Sequence, residues 1–150
     1  MNGQRAAAIL GAAALAACVA VGRRQPPPAP ALSVKPDLHV LYYSDLGPEA
    51  VDVSSYPAKL QYDYVVFSRV CSQCHSLARA INAPAVDRQF WEFYLARMRL
   101  YSRFQHQPVS ADETRAILDF LEYDTSVRKI GGRKIFEAQV DALKRRFEGR

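Results

Sequence analysis

An all-α domain is what this 150-residue chain predicts. Three observations carry the prediction: helical spacing of apolar residues between Pro57 and Cys74, a capping box at Ser110-Ala111-Asp112-Glu113, and a last segment whose Phe136, Val140, Leu143 and Phe147 share one stripe. The expected architecture has about three principal helices around a single centre, plus a C-terminal amphipathic helix. After removal of the first segments about 120 residues remain, enough for one domain with one core.

The elements follow in chain order. Residues 1–17 read as an export leader: Arg5 is a short basic start, Ala6 to Ala17 are apolar, and Leu15-Ala16-Ala17-Cys18 has the small-residue pattern of a bacterial lipoprotein cleavage site. Cys18 would then be the first mature residue and carry lipid. An ordinary cleaved signal is the alternative, as is an uncleaved anchor, but a 17-residue run of mostly Ala from Ala6 to Gly22 is short for a span of about 20. Residues 18–31 end in Arg-Arg-Gln-Pro-Pro-Pro-Ala-Pro-Ala, an extended spacer with a reach of roughly 25 to 30 Å.

The folded domain is expected at 32–123, with a basic helical extension at 124–150. Leu38 to Tyr43 suggest a short extended segment and Asp45-Leu46-Gly47-Pro48 a turn. Pro57 suits the first turn of a helix on which Leu60, Tyr64, Phe67, Cys71 and Cys74 form one stripe. A second helix over Phe90 to Met98 puts Trp91, Tyr94, Met98 and Tyr101 inward, with Glu92, Arg99 and Arg103 opposite. Ile117, Leu118, Phe120 and Leu121 give the third helix its apolar side, and it should cross the first. The stripe of the last helix must be buried, either on its own domain or against a docked partner or membrane through 133–147.

Chemistry concentrates in Cys71-Ser72-Gln73-Cys74-His75. This is the spacing by which two thiols bind a haem covalently and the next imidazole reaches its iron. A redox dithiol would belong at the opening of a helix after a strand, and a zinc site would need two more ligands from His39, His106 and the distant Cys18. Haem c is attached outside the cytoplasm, which agrees independently with the leader. The three cysteines are then all used, Cys18 for lipid and Cys71 and Cys74 for haem, and a single motif means a single haem.

The iron has a second axial position. Met1 leaves with the leader, so Met98 is the only thioether left to fill it; methionine opposite histidine raises the potential and suits electron transfer. His106, His39 or an open site are the alternatives, and a methionine at helical spacing also serves as core filler. Trp91 and Arg97 are candidate donors to the haem propionates.

These residues resemble small bacterial c-type cytochromes of the class I kind, with similarity over roughly Leu46 to Phe147. Such cytochromes place an aromatic four residues before the first haem cysteine, where Phe67 stands. Many place Gly eight residues before it, where this chain has Asp63. The resemblance implies a proline carbonyl hydrogen-bonded to the haem histidine, with Pro84 the candidate, and the Trp-containing helix ending at Arg97-Met98 is similar to that of one monohaem subgroup. It implies a cytochrome c-like fold and an electron carrier exchanging single electrons with redox protein partners, not an enzyme. A haem sensor or a catalytic haem is the alternative. Twenty Lys and Arg against 15 Asp and Glu give a formal +5, or +4 without Arg5, and no basic block interleaved with aromatics points to nucleic acid.

Overall fold

The computed structural model describes residues 40–150; the leader, Cys18, the tether and His39 lie outside the described residues. Helix α1 spans Ala58–Cys71, with Pro57 at its N-cap, where the missing N–H would have had no intrahelical partner. Tyr64 and Phe67 are buried on its inner face and Leu60 packs at the edge. The helix stops at Cys71, so the expected stripe does not extend to Cys74, which is exposed beyond it.

Helix α2 is the single turn Ala78–Ile81, α3 spans Arg88–Phe104, and α4 spans Ala111–Asp124. The capping box of α4 is formed: the Glu113 amide donates to Ser110 Oγ at 3.2 Å and the Ser110 amide to Glu113 Oε2 at 2.9 Å. At α3 the cap is Asp87, whose carboxylate accepts from the Phe90 amide at 2.8 Å.

Helix α4 is the centre of the bundle. Phe120 stacks against Phe67 and Tyr64, ring centroids 4.9 and 5.1 Å away, and with Phe67 and Ile117 it is entirely removed from solvent. Each such side chain contributes about 1.5–3 kcal/mol by burial. Helix α1 crosses α4 as the sequence predicts. Asp63 is buried at the crossing but bonded to Lys59 Nζ at 2.6 Å, and the same ammonium reaches Asp119 of α4 at 2.8 Å. A partnered carboxylate thus occupies the position where a small residue was expected.

Helix α3 packs on α4 but not on α1. Its buried seam is Trp91, Leu95 and Ser102, which rotates the helix from the expected orientation. Tyr94 and Tyr101 are exposed, Met98 lies half-buried at the seam's edge, and Arg99, expected in solvent, is half-buried.

Of the extended segment expected over Leu38 to Tyr43, Tyr42 has extended backbone, and the turn expected at Asp45 to Pro48 begins earlier, as a 3-10 helical turn over Tyr43–Leu46; no strand occurs among the described residues. Arg79 of α2 ties it down with two bonds to Asp45, 2.8 and 3.0 Å. A π-helical turn, Thr125–Gly131, continues from α4 and leads into α5, Arg133–Glu148. Phe136, Val140 and Leu143 of α5 are buried and the helix packs on the 3-10 turn. Three of the four residues of the extension's apolar stripe are therefore buried within the chain, and Phe147 is half-buried. Among the described residues α1, α3 and α4 are the three principal helices expected and α5 the C-terminal one, with the single-turn α2 added, and none is long and apolar enough to cross a membrane.

Candidate haem-binding site

Ion pairs tie the helices that carry the candidate ligands to α4. Arg69, near the end of α1, meets Glu113 in the first turn of α4 at 2.7 Å, and Lys59, near its start, meets Asp119 at 2.8 Å, so α1 runs antiparallel to α4. Arg88, at the start of α3, meets Glu122 near the end of α4 at 2.7 Å. Cys71 at the end of α1 and Met98 on α3 thus lie on two helices that each pack on α4 but not closely on each other. Both are half-buried and pack against the main core.

The motif itself closes α1. The chain turns through Ser72 to Ser76, and the Ser76 hydroxyl accepts from the Ala78 amide at 3.1 Å to start α2. His75 is half-buried, and its Nδ1 lies 2.8 Å from the Ser76 carbonyl oxygen. A neutral ring donating there leaves the Nε2 lone pair for a metal. The carbonyl at the ring is thus that of Ser76, not Pro84. Pro84 is exposed and lines an open cleft of about 500 Å³ with Tyr43, Lys129, Phe136 and Lys144.

The thiols are not arranged for dithiol chemistry. Burial pushes the Cys71 thiol up to about 12, with a smaller contribution from Cys74, whereas a redox dithiol needs a stabilised thiolate. Cys71 also ends a helix, where the dipole disfavours negative charge. No three His, Cys, Asp or Glu side chains gather into a metal-holding cluster among the described residues; Cys18 and His39, two of the other candidate zinc ligands, lie outside them.

The residues present fit a covalently attached porphyrin. The motif offers two thiols and an imidazole one turn beyond the buried Phe67, and Met98, half-buried against the same core, offers a thioether. Four buried side-chain donors have no partner among the described residues: Trp91 Nε1, Arg99 Nε, Ser68 Oγ and Thr125 Oγ1. The first is one of the expected propionate donors; the other, Arg97, is exposed. Arg99, expected on the solvent side with Glu92 and Arg103, is half-buried because α3 is rotated from the expected orientation. His106, the alternative ligand, is exposed with φ 57° and ends α3. Its amide donates to the Arg103 carbonyl at 3.1 Å and the Gln107 amide to that of Ser102 at 2.9 Å, the two bonds of a Schellman cap. That geometry gives His106 a structural role.

No family model matches the chain, and no curated protein or solved structure is significantly similar to it.

Proposed function

We propose that this chain is a monohaem c-type cytochrome with a cytochrome c-like fold, carrying single electrons between redox protein partners on the periplasmic side of a bacterial membrane, to which lipid on Cys18 holds it. The observation that carries the reading is the Cys71-Ser72-Gln73-Cys74-His75 sequence closing α1, with Met98 half-buried against the same core. When bound, the haem supplies a one-electron redox centre. Cys71 and Cys74 would hold the haem through two thioethers. His75 would offer Nε2 to the iron while its Nδ1–H is held by the Ser76 carbonyl at 2.8 Å, which fixes the ring and raises its basicity. Met98 would offer its thioether as the second protein ligand. Phe67 and the α4 core exclude water from the inner side, and Trp91 Nε1 is available to a propionate oxygen. In this role the residues hold, orient and insulate, and none performs bond chemistry.

The test is the optical spectrum of the exported protein, oxidised and reduced. A haem c spectrum with the weak long-wavelength band of methionine-ligated ferric haem is expected. Met98→Ala should abolish that band, lower the reduction potential and let ferrous protein bind carbon monoxide. An unchanged spectrum and potential in Met98→Ala would remove Met98 from the iron. Carbon monoxide binding by the wild type would instead favour a sensor or catalytic haem.

A further inference from the structure

The link between His75 and α3 is held from a distance. Helix α2 is one turn long, too short to stand by itself, and its last carbonyls have no partner within it. The Ala83 amide donates to the Ala80 carbonyl at 3.3 Å, and cations from the π-helical turn supply the rest. Arg128 donates to the Ile81 carbonyl at 2.9 Å, and Lys129 Nζ donates to those of Ala80 and Ala83 at 3.2 and 2.9 Å. Arg128 is aimed by Asp124, which takes its guanidinium at 2.6 and 2.7 Å and the Tyr56 hydroxyl at 3.0 Å.

The π turn makes this geometry. Its closing bond runs from the Gly132 amide to the Val127 carbonyl at 2.9 Å, and a Cβ on Gly132 would come within 2.7 Å of the Arg128 carbonyl oxygen. Such turns inside α-helices frequently mark functional sites. Lys129 is also costly where it is. It is 2 % exposed, between the rings of Trp91 and Phe136 at 5.5 Å each, and burial lowers its ammonium from the ordinary lysine value, against the opposing pull of Asp124. A charged group kept in so dry a place, with both its bonds spent on one short stretch of backbone, points to a need to fix that stretch.

We propose that Lys129 and Arg128 are positioning residues for the haem-ligating His75: by gripping the carbonyls of Ala80, Ile81 and Ala83 they hold the strand of chain that carries the ligand toward α3. This rests on the haem reading above. The C-terminal extension thereby acquires a role at the iron although it contributes no ligand.

The experiment compares exported full-length wild type, Lys129→Met and Lys129→Arg for covalent haem content, reduction potential and amide exchange over residues 76–83. Lys129→Met should keep its haem, exchange those amides on the order of tenfold faster and shift the potential, while Lys129→Arg restores both toward wild type. Faster exchange with an unmoved potential would overturn the proposal, since the grip would then be only structural. So would wild-type exchange rates in Lys129→Met. A wild type without covalent haem would overturn the haem reading itself, a different result from either. If Lys129→Met does not accumulate, Lys129→Gln, which keeps one donor group and loses the charge, is read by the same two measurements.

Discussion

Lys129 and Cys71 titrate in opposite senses, which makes their contributions to stability separable. Burial holds the Lys129 ammonium at about 8 in the fold, with Asp124 opposing. The unfolded chain therefore binds more protons than the native one between about 8 and the usual lysine value near 10.5, and stability rises with pH across that window. A free Cys71 thiol, pushed up by burial, acts the other way, binding its proton more tightly when folded, so above the ordinary thiol range its contribution falls as pH rises. Thioether formation abolishes the second effect. In urea titrations of the haem-bearing protein, wild type should therefore gain stability relative to Lys129→Met from pH 7.5 to 10, and a parallel pH dependence in the two proteins would show that Lys129 does not carry it. Asn82 is a second buried polar residue, with no exposed surface. Its amide nitrogen lies within bonding distance of the Ser44, Pro48 and Ala78 carbonyls, and its oxygen accepts from Gln139 at 2.9 Å. A Cβ on Gly47 would sit 2.4 Å from its side chain. Gly47→Ala should cost about 1–3 kcal/mol by overpacking, measurable as a lower urea midpoint. Neither Lys129 nor Asn82 could be read from sequence as buried, because all their partners but the Ala78 carbonyl lie 34 to 57 positions away.

At the scale of elements, what was legible is what is local. The capping box at Ser110 and the inward side of α4 follow from spacing within a few residues, and both are formed. The stripe of α1 holds as far as Cys71 for the same reason. The rotation of α3 was not legible: Trp91, Leu95, Met98 and the exposed tyrosines make an apolar surface wider than one seam, and only packing on α4 alone decides which part is buried. The π turn has no periodic signal either; its trace in the sequence is Gly131-Gly132 after a basic pair. The end of α3 is testable directly. His106 holds the left-handed position of a Schellman cap, φ 57°, where a side chain is strained relative to glycine. His106→Gly should stabilise the protein by about 0.5–1 kcal/mol in denaturant melts and leave the haem spectrum unaltered. A changed spectrum would make His106 an iron ligand instead of a cap.

Over the whole molecule, the chain builds two apolar groupings joined by polar ties. The main core draws on α1, α3, α4 and the residues flanking α2, whereas Phe136, Val140 and Leu143 of α5 are buried against the 3-10 turn, outside that core. Between them run the Arg128 and Lys129 bonds to residues 80–83 and the Gln139 bond to Asn82. A layer tied mainly by hydrogen bonds and one narrow apolar stripe should open at lower free energy than the aromatic core around Phe67 and Phe120. Phe136→Ala removes the largest side chain of that stripe and one of the rings beside Lys129, at a cost of about 3 kcal/mol. Its effect on amide exchange should be uneven: faster over 41–48, 78–83 and 133–147, little changed over 60–70 and 116–122. Acceleration spread evenly over all five stretches would mean that the extension and the core open as one cooperative unit, and the ties would then transmit strain to the motif end of α1 as readily as to α2.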